Sequence, residues 1–291
     1  MSVWQAILLG VIQGITEFLP VSSSGHLVLL QQVLNLEIEN SLFFEAMLHI
    51  GTLLAVIAVF RADITRIFRE LLHILADIFD NIKIWFQNKS FQDEKRYHKL
   101  LSSNYRRFVI LLLISTIPTG VIGYLIRGMV EEASGNLLAP AIGFFVTAIL
   151  LLVTECAAEE NEKSPHDTSF SEAAAIGIFQ GFAAFPGVSR AGATLSACFI
   201  CGFSRKYAMK YSYIMSIPAI LGAAIMEFGG AKVGGNTVGI GIYLLAMMSA
   251  AAVGYFSIRF SLSMIRQKKL RYFSMYCMVI GILSIILHFT L

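Results

Sequence analysis

Apolar residues in this chain fall in long unbroken blocks, not in alternating positions. Blocks at 41–60, 107–126, 138–156, 209–228, 236–258 and 271–290 each hold the roughly 20 residues that carry a helix across a bilayer. Two further apolar stretches are broken by polar residues and prolines, at 3–36 and at 172–204. In each, a helix, a break and a returning helix predict a re-entrant hairpin, because irregular backbone at membrane depth survives only where it lines protein or water. Strand-like alternation is absent, which excludes a β-barrel. The predicted fold is therefore an all-α polytopic membrane protein with six transmembrane helices and two re-entrant helical hairpins, one membrane domain over 1–291. Its first half is 1–156, with the hairpin at 3–36, and its second half is 172–291, with the hairpin at 172–204.

The segment 61–106 reads differently. It is basic, with Arg61, Arg66 and Arg69 early and Lys95, Arg96 and Lys99 late. Ile67, Leu71, Leu72, Ile74, Leu75 and Ile78 give it an apolar stripe, so an amphipathic helix at the membrane interface is expected. Pro118 and Pro218 should kink the spans that hold them. Glu131 and Glu132 mark an acidic turn, and 157–171 a polar loop.

Composition agrees with a membrane protein: 56% of the 291 residues are hydrophobic and only 14% charged, where a soluble domain carries about a quarter. The net charge of +3 matters less than its placement. Ten basic residues lie in 61–107, three in 205–210 and five in 259–271. Six crossings with both termini outside put all three clusters in the cytoplasm, as the positive-inside rule requires. The basic run faces anionic lipid headgroups, and no nucleic acid is expected as a partner. Of the four cysteines, Cys198 and Cys201 form a C-x-x-C without a second pair or a histidine beside it, so helix packing is the better reading than zinc or redox. No cleavable leader is expected, because the first residues lack a basic n-region.

The chemistry concentrates in residues 10–27, GVIQGITEFLPVSSSGHL, with Gln13, Glu17, Ser22, Ser23, Ser24 and His26 in a short span. Ionisable groups at membrane depth are costly and point to function. Residues 177–194, GIFQGFAAFPGVSRAGAT, repeat the pattern. Gly10, Gln13, Gly14, Phe18, Pro20 and Gly25 match Gly177, Gln180, Gly181, Phe185, Pro186 and Gly192. Three spans separate the two stretches, so they enter from opposite sides, which is an inverted-topology repeat with its site at the repeat interface. The copies have diverged: the first keeps Glu17 and His26, and the second has Ala184 for the acid but offers Ser189 and Arg190. Gly25 and Gly192 sit where returning half-helices would begin, and helix N-termini suit a phosphate. Arg190 adds a planar fork matched to phosphate oxygens. Glu17 beside a phosphate calls for a divalent cation such as Mg²⁺.

On QGITEFLPVSSSGH and PGVSRAGAT the chain resembles the undecaprenyl-diphosphate phosphatase family, also called bacitracin-resistance proteins. The resemblance runs through essentially the whole chain. It implies hydrolysis of undecaprenyl diphosphate to the monophosphate and phosphate in a bacterial plasma membrane, with the site open to the outer face, recycling the lipid carrier for cell-wall synthesis with the help of a divalent metal ion, Mg²⁺ or Ca²⁺. By position it implies Glu17, Ser23, His26 and Arg190 as catalytic. Ser22, Ser24, Gly25, Ser189, Gly192 and Thr194 are implied to touch phosphate, and Glu17 with Gln13 to meet the metal. Two departures stand out: Gln13 replaces a second acid found in some members, and Ala191 replaces the usual serine after the arginine.

His26 is read either as a nucleophile or as a base for Ser23 or water. Ser23 attacking with His26 as its base is preferred. Glu45 and His49, four apart on one helix face, are either a helix-pairing hydrogen bond or support behind the metal. Gln180 and Gln13 tie the loops together. The alternative function is a transporter or flippase of polyprenyl phosphate, since inverted repeats with broken helices are common in carriers. The discriminating feature is the Glu17–Ser23–His26 cluster, which a carrier does not need. Expected partners are the polyprenyl diphosphate substrate and membrane lipids, and a homodimer is left open.

Overall fold

The computed structural model describes residues 1–36, 38, 41–91, 95–157, 162–230 and 239–290. Twelve helices make up the described chain: α1 (Val3–Thr16), α2 (Ser23–Val33), α3 (Ser41–Val59), α4 (Arg61–Phe91), α5 (Asn104–Leu125), α6 (Arg127–Ala133), α7 (Leu138–Ala157), α8 (Phe170–Phe182), α9 (Arg190–Ile200), α10 (Arg205–Gly230), α11 (Ile240–Arg266) and α12 (Leu270–Thr290). No strand occurs among the described residues beyond one isolated bridge between Lys163 and Phe203. Six helices, α3, α5, α7, α10, α11 and α12, are long and apolar enough to cross a membrane. At most 44% of any such span is buried inside the protein, so each turns a wide apolar face outward, as lipid requires. The chain is a multi-pass membrane protein.

The remaining apolar helices are short. At 1.5 Å per residue α1 is about 21 Å long and α2 and α9 about 16 Å, too short to cross a hydrocarbon layer of about 30 Å. Local chemistry sets their starts. Ser2 and Gln5 close a capping box at the head of α1, and Ser169 and Glu172 do the same for α8. Ser22 caps α2 through the Gly25 N–H, and Ser189 caps α9 through the Gly192 N–H. Both returning helices thus begin earlier than the glycines that the sequence pointed to. The Glu131–Glu132 turn is also helical, forming α6 with an Arg127–Glu131 ion pair at 2.7 Å. Helices α5 and α10 run on through Pro118 and Pro218. The predicted start of the span at 236 lies outside the described residues; within them α11 begins at Ile240.

Packing places α1 against α11 and α8 against α5, with α3 on α10 and α7 on α12. Small residues allow the close approaches. A methyl group on Gly10 would strike the Ala246 carbonyl of α11, and one on Gly177 the Ser115 carbonyl and the Pro118 ring of α5. Interhelical hydrogen bonds add to this, each worth roughly 0.6 kcal/mol in a membrane. Ser115 Oγ donates to the Ala173 carbonyl at 2.6 Å, and Ser274 Oγ to the Ala148 carbonyl at 2.7 Å. Helix α4 has no buried side beyond Ile74 and exposes Phe68, Leu72, Leu75, Phe79, Ile82 and Phe86.

Candidate active site between the two polar turns

The turns after α1 and α8 meet. A methyl on Gly25 would lie 2.8 Å from the Gly187 Cα, and Gly187 itself has φ +84°, a conformation open to glycine at little cost. Thr147 of α7 holds the second turn, its Oγ1 donating to the Gly187 carbonyl at 2.9 Å and accepting from the Ser189 N–H at 2.9 Å. In the first turn Ser22 sits at φ 69°, uncommon for a residue with a side chain and a mark of a constrained site.

Across this junction Arg190 Nη2 pairs with Glu17 Oε1, joining residues 173 apart. Glu17 Oε2 accepts from the Ser23 hydroxyl at 2.5 Å and from Gln13 Nε2 at 3.0 Å. One buried carboxylate therefore gathers a guanidinium, a hydroxyl and an amide. The second fork nitrogen, Arg190 Nη1, reaches the Ser216 carbonyl of α10 at 3.4 Å. A cavity of about 10 Å³ remains beside them, lined among others by Glu17, Arg190, Ala191, Thr194 and Ser212. That volume holds about one water, so a diphosphate would have to part Arg190 from Glu17.

Not every residue singled out in the sequence joins this cluster. His26 is buried next to it, but its ring nitrogens are engaged elsewhere: Nδ1 with the Ser22 carbonyl at 2.6 Å and Nε2 with the Tyr276 hydroxyl at 2.8 Å. Ser23 faces Glu17, so the pairing of Ser23 with His26 as its base is not the arrangement found. The Gly25 and Gly192 N–H groups are taken by the caps Ser22 and Ser189, at 3.3 and 3.1 Å. Ser24 Oγ lies 3.3 Å from Ser22 Oγ, and Thr194 Oγ1 is 2.5 Å from Ser212 Oγ. Gln180 donates to the Met215 carbonyl at 3.3 Å, tying α8 to α10.

His49 does not pair with Glu45 but with Glu227 of α10, Nδ1 to Oε2 at 2.9 Å. Glu45 lies near both, and His49 is close enough to feel the charges of Glu17 and Arg190. Glu227, the partner of His49, was not singled out in the sequence, although an acid in an apolar span is itself a signal. Tyr213, whose hydroxyl donates to the Phe18 carbonyl at 3.0 Å, and Tyr276 were missed because aromatic residues in spans are ordinary.

A divalent ion suits the donor set in one respect. Gln13 Oε1 is a buried acceptor without a partner, beside the Glu17 carboxylate and the Ser23 hydroxyl. These are hard oxygen donors, and one carboxylate completed by substrate phosphate is a normal Mg²⁺ environment. No cluster of three or more His, Cys, Asp or Glu fit for a metal occurs among the described residues, so a cage made of protein alone is not built here.

The family model described as bacitracin resistance protein BacA matches residues 6–283. The undecaprenyl-diphosphatase of Methanosphaera stadtmanae is 35% identical over 287 residues, 99% of this chain and 98% of the relative. Those of Alkaliphilus metalliredigens and Korarchaeum cryptofilum are 35% and 38% identical, covering 100% and 97% of this chain and 100% and 98% of theirs. With the match running nearly from end to end, this chain belongs to the bacitracin resistance protein BacA family.

Proposed function

We propose that the protein is an integral-membrane phosphatase that hydrolyses undecaprenyl diphosphate to undecaprenyl phosphate and inorganic phosphate. Its relatives are named for that activity. The observation that carries the reading is Glu17 holding the Ser23 hydroxyl and the Arg190 guanidinium at once. A nucleophile, a proton acceptor and an anion-binding fork then meet at one point. The polyprenyl tail lies among the outward apolar faces, in a bacterial plasma membrane with the site open to the outer face. The pairing of α1 with α11 and of α8 with α5, around the pairs α3–α10 and α7–α12, supports an inverted repeat with two re-entrant hairpins.

The diphosphate draws Arg190 off Glu17, since a bidentate phosphate contact replaces the carboxylate contact. Glu17, freed on one side, takes the proton of Ser23 as its oxygen bonds to the terminal phosphorus and the anhydride P–O bond breaks, releasing the lipid monophosphate. Water then cleaves the phosphoserine and frees phosphate. Arg190 meets the charge spread over the transferring phosphoryl oxygens. Gln13 Oε1 and Glu17 would hold a divalent cation, Mg²⁺ or Ca²⁺, which when bound supplies neutralisation of the diphosphate charge. Phosphate release from undecaprenyl or farnesyl diphosphate by the purified protein in detergent with Mg²⁺ tests the reading. Glu17→Ala, Ser23→Ala and Arg190→Ala should each lose at least 100-fold in turnover; wild-type protein that is folded yet releases no phosphate would refute it.

A further inference from the structure

His26 is held from three sides. Its Nδ1 lies 2.6 Å from the Ser22 carbonyl, an acceptor only, so Nδ1 carries the proton. In the neutral ring Nε2 is then a bare acceptor, and the Tyr276 hydroxyl, 2.8 Å away, donates to it. The Tyr276 ring also stacks on the imidazole, with centroids 5.6 Å apart and planes 2° from parallel. The Phe144 ring of α7 meets the imidazole edge-on at 5.1 Å. Tyr276 is 42% exposed, and its place beside the ring is set by its helix. Helix α12 is seated by Ser274, bonded to the Ala148 carbonyl, and by Cys277 beside the Pro20 carbonyl, three residues apart on one face.

We propose that Tyr276 is the positioning residue for His26, its hydroxyl and ring together fixing the tautomer and plane of the imidazole. The inference rests on the phosphatase reading for its kinetic consequence. Without the hydroxyl, Nε2 has no donor and the ring is free to rotate or exchange tautomers. His26 takes no proton in the reaction above; through Nδ1 it holds the Ser22 carbonyl, so a loosened ring loosens the turn that sets Ser23 against Glu17. A residue 250 positions away thereby sets the state of the motif histidine.

Tyr276→Phe keeps the ring and removes only the donor. Expected is a fall in kcat of about tenfold with KM within threefold of wild type and an unchanged thermal midpoint in detergent. Tyr276→Ala should lose more. The direct readout is the ring nitrogen spectrum of His26 in bilayers by solid-state NMR with ¹⁵N-histidine, assigned by its loss in His26→Asn. In the wild type Nδ1 should be protonated and Nε2 hydrogen-bonded but bare; in Tyr276→Phe the Nε2 resonance should move to that of an unbonded nitrogen. Unchanged kcat together with an unchanged His26 spectrum would overturn the proposal, and so would a kcat loss with the spectrum unmoved. If wild-type protein released no phosphate, the phosphatase reading would fall, and the nitrogen spectrum would still decide what Tyr276 does to His26.

Discussion

At the scale of single residues the site is a competition for one carboxylate. Glu17 is shared among Arg190, Ser23 and Gln13, and Arg190 has little else to bind besides a long contact to Ser216. Breaking a buried ion pair by removing one partner costs about 3–5 kcal/mol. Glu17→Gln should therefore lower the thermal midpoint in detergent as well as abolish turnover, and Glu17→Gln with Arg190→Gln should recover part of the stability but none of the activity. The His49–Glu227 pair makes a separate test. Glu227→Ala and His49→Ala should each cost about 1–3 kcal/mol, the price of a buried polar group left alone. The double variant should cost less than the sum, measured by thermal unfolding of all four proteins. The members of the candidate site were legible in advance: Glu17, Arg190, Ser23 and His26 stand out as polar groups in apolar surroundings. Their pairing was not, because a period along the chain says nothing about which of two nearby turns a side chain faces. Ser23 and His26 are three apart on the first turn of α2, yet one points to Glu17 and the other to Tyr276.

At the scale of elements, the helices were legible wherever length and apolarity alone decide. The spans at 41–60, 138–156 and 271–290 differ from α3, α7 and α12 by a residue or so at each end. Capping decided the rest. Ser22 and Ser189 start α2 and α9 ahead of their glycines, since a hydroxyl that takes an N–H at the first turn fixes the start more firmly than glycine permits it. The glycines serve contacts instead. Gly177→Ala should force α8 off α5, moving the turn that carries Arg190, and should cost about 1–3 kcal/mol as overpacking does. Gly123→Ala, where a methyl meets nothing within 4 Å, should be neutral or slightly stabilising because alanine favours helix. Thermal unfolding of the two variants side by side checks the contrast.

At the scale of the whole molecule, α4 is tied to the bundle where Arg106 meets Glu70 and Asp77 and Lys210 meets Asp63, while its 31 residues turn an apolar stripe outward with bases at the head. Such a helix lies in the plane of the interface with its apolar face at the acyl boundary. In Trp4→Phe protein, where Trp85 is the tryptophan left, fluorescence should be quenched by lipids brominated near the headgroup and little by lipids brominated at the chain ends. Quenching by neither would place α4 in water.

The ion pair between Glu17 and Arg190 also has a consequence for biosynthesis. The ribosome must add 173 residues after the carboxylate before its guanidinium exists, and α11, the neighbour of α1, comes later still. Until Arg190 is made the acid stands without this counter-charge. The Glu17–Arg190 pair, and with it the junction of the two turns, can close only after about two thirds of the polypeptide has been made.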